Sequence, residues 1–177
     1  MTLLRSGQPV MKQILAGLFL LSLLSGCASD VPLVIREPLA DNPSFTEVQG
    51  NPKAFVNRRV RWGGTIVSTK TVENKSEVEI LAKAIDTDGR PEPGDVSLGR
   101  FLVSSEGFLD PATYSAGREV TVYGVFENVL MRNIGEHPYV YPFVRAIQLY
   151  LWPEQGDYGD GAWYPQFHFG VGVGVGL

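Results

Sequence analysis

The chain has 177 residues, 44% of them hydrophobic, with 15 basic and 19 acidic side chains. Without the first 26 residues, 13 basic and 19 acidic side chains remain, a net charge of −6. That balance is poorly suited to a nucleic-acid partner, whose phosphates need Lys and Arg, and gives no polybasic run for anionic lipid. What remains, about 150 residues, is the size of one ordinary domain.

The chain opens with an export signal. Arg5 and Lys12 precede an uncharged apolar run from Ile14 to Leu24. This is a positive n-region followed by an h-region of signal-peptide length. It is roughly half the ~20 residues a membrane-spanning helix needs, so a cleaved signal is expected. Met1 and Met11 are alternative starts, since Met11-Lys12-Gln13 and the apolar run form a complete signal alone.

Leu24-Ser25-Gly26-Cys27 follows. It resembles the bacterial lipobox, in which small residues precede an obligatory cysteine. Small side chains at Ser25 and Gly26 admit the backbone to a peptidase cleft, and cleavage is expected between Gly26 and Cys27. The thiol of Cys27, the chain's one cysteine, then carries an S-diacylglycerol, and its freed amine takes an N-acyl chain. Several chains anchor far better than one, at roughly 0.8 kcal/mol per buried methylene. With that thiol used, the fold has no disulfide in an oxidising compartment.

Ala28 and Ser29 come next, where enterobacterial-type sorting places Asp to retain a lipoprotein in the inner membrane. The expected address is the outer membrane, with a periplasmic domain; surface exposure stays open. Residues 27–43, with Pro32, Pro38 and Pro43, read as the lipidated N-terminus and an extended tether.

The domain itself spans residues 44–152. Ser44 caps a short helix, Phe45 to Gln49, with Glu47 at the capping-box position. Pro52 starts a second short turn. A long strand is expected at 60–72, with Val60, Trp62, Ile66 and Val72 on one face and a bend or bulge at Gly63-Gly64. A second strand follows at 77–85, with Val78, Ile80, Ala82 and Ala84 alternating. Residues 86–99 form an Asp/Gly/Pro-rich loop. A third strand occupies 100–104, a capped helix 110–114, a fourth strand 118–126 and a last strand 140–152.

The order β-β-β-α-β-β with a bent first strand resembles the OB-fold, a five-stranded Greek-key barrel. The expected class is therefore mainly β: an OB-like small barrel with one or two short helices, preceded by a cleaved signal peptide. Residues 153–177 form a Gly/aromatic-rich tail ending in alternating Val and Gly from Val171. As a strand its valines line one face, available for strand addition to a partner or contact with the membrane surface. The alternative is a tail left disordered by its glycines.

The lipobox, Asn51-Pro52-Lys53-Ala54-Phe55, Val60-Arg61-Trp62-Gly63-Gly64, Val120-Thr121-Val122-Tyr123-Gly124 and Tyr141-Pro142, in this order, resemble the Slp family. These are outer-membrane lipoproteins named for induction in starving enterobacteria. The resemblance implies an outer-membrane lipoprotein in a stress or stationary-phase context. It carries over no catalytic residues and no cofactor.

No catalytic or metal set is expected. His137 and His168 lack second ligands at metal spacing. Asp86-Thr87-Asp88-Gly89-Arg90 lacks the later ligands of a calcium loop and reads as a turn. Glu77 and Glu79 are paired acids of the kind a cell-wall or glycan hydrolase uses, but alternation puts both on a solvent face. Arg58, Arg59 and Arg61 form a small basic cluster, either flanking the first strand or binding an anion. Trp62, Tyr123 and Tyr141 are candidate contacts on an open barrel face for an envelope partner, with core as the competing reading.

Overall fold

The computed structural model describes residues 30–154. Signal peptide, lipobox, sorting residues, His168 and the tail beyond Glu154 lie outside them. Five strands form a closed barrel: β1 (Arg59–Val72), β2 (Lys75–Lys83), β3 (Gly99–Glu106), β4 (Glu119–Ile134) and β5 (His137–Leu151). Their order around the ring is β1-β2-β3-β5-β4, closing through β4 and β1. All neighbours are antiparallel except β3 and β5, which run parallel over Leu102–Ser104. This is the OB-type barrel the strand pattern foretold.

Alternation fills the interior. Val60, Trp62 and Ile66 of β1, Val78 and Ile80 of β2, and Phe101 and Val103 of β3 are buried, with Val120, Val122, Phe126 and Val144 closing the core. Each such side chain contributes roughly 1.5–3 kcal/mol on leaving water. The register of β1 breaks between Ile66 and Ser68, not at the glycine pair. The slip reverses the alternation, so Val72 ends exposed rather than in the core. Gly64 answers a different need. A Cβ there would lie 2.0 Å from the Leu81 carbonyl oxygen, so only glycine lets β1 curl this close to β2.

Two helical turns precede the barrel: α1 (Leu33–Arg36) and α2 (Phe45–Gly50). A 3-10 turn, Pro52–Phe55, leads into β1. The α2 capping box is complete: the Glu47 amide donates to Ser44 Oγ, and the Ser44 amide donates to the Glu47 carboxylate at 2.8 Å. Phe45 and Val48 seal one end of the barrel, Phe45 standing edge-on to Trp62 at 5.4 Å.

The helix expected at 110–114 is not formed. Asp110 caps a single turn, its carboxylate accepting from the Ala112 amide and its carbonyl from the Tyr114 amide. Leu109 and Tyr114 pack on the core from this turn. The last two strands are also longer than expected. Their hairpin turns at Gly135 (φ 60°), with Ile134 opposite His137. Its tip is mixed and mostly exposed, so no clean alternation marks it.

Candidate functional site

The outer face of β1 and β4 carries the segment that leads to Cys27. The stretch read as an extended tether is folded onto the domain from Leu33 onward. Arg61 faces outward from β1 and is buried beneath α1, 6% exposed. Its Nη1 donates to the carbonyls of Ile35 (2.8 Å), Arg36 (3.0 Å) and Glu37 (2.9 Å). These are the acceptors a short helix leaves unsatisfied at its C-terminus. Burial pulls the Arg61 guanidinium below its ordinary pKa, with the Asp86 charge acting the other way.

Two further contacts complete the clamp. The Asn42 side chain pairs with the Arg61 backbone like an added strand residue, accepting from its amide at 2.8 Å and donating to its carbonyl at 3.0 Å. Trp62 Nε1 donates to the Pro43 carbonyl at 2.9 Å. Gly89, from the β2–β3 loop, fits tightly beside Ile35: a Cβ would lie 2.3 Å from the Ile35 carbonyl oxygen. Residues 33–43 thus belong to the folded domain.

The basic cluster is split by this arrangement. Arg61 is structural, whereas Arg58 and Arg59 are exposed at the start of β1. The three aromatic contact candidates are all buried: Trp62 in the core, Tyr123 beside α1, and Tyr141 against β2 and β3. None forms an open contact face, because the barrel interior and the N-terminal segment consume them.

Glu77 and Glu79 point outward from β2, as alternation predicts, but neither is free. Arg132 of the hairpin grips Glu77 with two nitrogens. Glu79 Oε1 accepts from Arg100 Nη1 at 2.7 Å and from the Tyr141 hydroxyl at 2.9 Å. Burial and the Glu79 carboxylate push the Tyr141 hydroxyl above its ordinary pKa. The hydrogen bond to Glu79 raises Arg100, and that to Glu77 raises Arg132. These acids fasten the long hairpin to the β2–β3 face; they do not converge on a cleft.

A cleft of about 360 Å³ lies at the end of β5, lined by Arg90, Arg118, Glu119, Trp152 and Glu154 among others. Its charges are committed internally. Arg90 pairs with Glu119 at 2.8 Å and lies over the Trp152 ring; Arg118 donates to the Trp152 carbonyl at 3.0 Å. Asp86 Oδ1 accepts from the amides of Asp88 and Arg90, which makes the Asp-Gly stretch a turn. Among the described residues no cluster of His, Cys, Asp or Glu could hold a metal. No helix there is long and apolar enough to cross a membrane.

The family model of the outer membrane lipoprotein Slp family matches residues 24–172. An uncharacterised lipoprotein of Escherichia coli (strain K12), YeaY, is 31% identical over 143 residues, 81% of this chain and 73% of its own length. The outer membrane protein Slp of the same organism is 26% identical over 163 residues, 85% of this chain and 86% of its own. Among solved structures, a small single-stranded DNA-binding protein from Streptomyces coelicolor aligns with a TM-score of 0.35 at 12% identity. That alignment covers 54% of this chain and 94% of that one.

Proposed function

The chain belongs to the Slp family of outer membrane lipoproteins, and we propose that it acts without catalysis, as a barrel module anchored through Cys27. In this reading the signal is cut between Gly26 and Cys27. The cysteine takes an S-diacylglycerol and an N-acyl chain, and Ala28-Ser29 passes the protein to the outer membrane. The domain then contributes to envelope integrity, or binds an envelope partner, in starvation or stationary phase.

The observation that carries the anchoring is the extent of the family match: it begins at residue 24 and takes in Leu24-Ser25-Gly26-Cys27. The absence of catalysis is supported by Glu77 and Glu79, whose carboxylates are held by Arg132 and Arg100. General acid–base work needs such groups in reach of substrate with tuned proton affinity.

Labelled palmitate and membrane fractionation test the reading. The wild-type chain should incorporate label and sediment with outer membrane. Cys27→Ala should incorporate none and leave the outer-membrane fraction. Ala28→Asp should keep the label and move to the inner membrane. Label on the Cys27→Ala variant would sink the assignment of the anchor.

A further inference from the structure

The fold shortens the link between the anchor and the domain, and this has a consequence for how the barrel meets the bilayer. Five residues, 28–32, separate Cys27 from Leu33, where the clamped segment begins. Fully extended, they reach only about 20 Å. The face beside the entry point is apolar and exposed: Leu33 is 57% and Val34 44% accessible. Next to α1, which packs on β4 and β5, Tyr123 pairs with Gln148, and Ile147 bulges outward beside that pair, 52% accessible.

Arginines rim this face. Among the described residues, Arg90, Arg100, Arg118, Arg132 and Arg145 each pair with a carboxylate. Arg36, beside Leu33 and Val34 in α1, makes no such pair, nor do the exposed Arg58 and Arg59. Arg58 and Arg59 line one shallow surface with Leu39 and Asp41, and Leu33, Val34 and Leu39 line the adjoining one. Glu37 and Asp41 line these same surfaces.

We propose that the face formed by Leu33, Val34 and Ile147, rimmed by Arg36, Arg58 and Arg59, docks on the lipid bilayer that holds the anchor. The inference rests on lipidation of Cys27. An apolar surface tethered within about 20 Å of the acyl chains meets the headgroup boundary at high effective concentration. Apolar side chains settle at that boundary, and arginine stems lie along it while their guanidiniums contact lipid phosphates. The short tether favours one orientation: the clamped segment toward lipid, and the β3–β4 link near Ser76 away from it. Ser76 pairs with Thr71, ten residues along β1 from Arg61, or roughly 30 Å measured along the strand.

Lipidated Cys27 has no free thiol, so an added cysteine can be labelled alone. Leu33→Cys, Ile147→Cys and Phe108→Cys are prepared as full-length lipidated proteins in vesicles of phosphatidylethanolamine and phosphatidylglycerol. Phe108 is 70% accessible and follows Gly107, whose carbonyl accepts from Ser76. A nitroxide at each site reports collisions with oxygen, enriched in lipid, and with a water-soluble nickel chelate. Labels at 33 and 147 should collide several-fold less with nickel, and more with oxygen, than the label at 108. Adding Arg58→Gln and Arg59→Gln should restore nickel collisions at 33. Equal collision at all three sites, in protein that floats with the vesicles, would overturn the docking face while leaving the anchor intact. Protein that does not float would instead refute the anchor on which the proposal rests.

Discussion

Replacing Arg61 by Met should release the N-terminal segment without collapsing the barrel. The Met side chain keeps most of the aliphatic stem and loses every donor. Three carbonyls, of Ile35, Arg36 and Glu37, lose a charged partner. A hydrogen bond to a charged group contributes about 1.5–3 kcal/mol. The three bonds share one nitrogen and do not add, and removing a buried guanidinium recovers part of its desolvation cost. The net loss should be about 2–4 kcal/mol. For a domain of this size that lowers Tm by about 10 °C. The assay is thermal unfolding by circular dichroism, with hydrogen exchange to locate the loss. Protection should fall at residues 33–43 and hold in β2 and β3. The tether would then lengthen from five residues to sixteen, with a reach of about 50–60 Å. A Tm within about 2 °C of wild type, with unchanged exchange at 35–37, would refute the clamp.

Gly64→Ala should be among the most damaging single changes, about 3 kcal/mol or more, because its Cβ meets backbone rather than a movable side chain; chemical denaturation measures it, and a loss below about 1 kcal/mol would show that β1 can yield. Glu79→Gln should cost about 1 kcal/mol through weakened bonds to Arg100 and Tyr141. Because the folded Tyr141 pKa is raised above 10.0, its contribution is complete below that pH and lost as pH rises through the folded value. In Glu79→Gln, tyrosinate absorbance should therefore show Tyr141 ionising at lower pH than in wild type. Glu47 has the opposite sign: its hydrogen bonds with Ser44 hold it below 4.5, so its contribution is present above 4.5 and lost as pH falls through the folded value. Glu47→Gln should flatten that acid limb in urea titrations, and an unchanged slope would remove the capping box as its source.

The sequence by itself determined the strands and the barrel. Alternation in Val78, Ile80 and Ala82, or in Val120 and Val122, is a local record of one buried face. The capping box at Ser44 and Glu47 was equally legible, because it acts within four residues. The Slp family was legible as well, carried by short motifs in a fixed order. The slip at Val67, opposite β2, belongs to strand pairing and has no local mark. The hairpin tip stayed hidden for a related reason: Arg132 and Tyr139 are held by Glu77 and the Arg100 amide, far away in the chain. Above all, tertiary structure decided the fate of residues 33–43. Their prolines suggest an extended tether, and only a guanidinium 24 to 26 residues later turns them into part of the domain. A long-range hydrogen bond of that kind leaves no periodicity, and it sets how closely the barrel is held to Cys27.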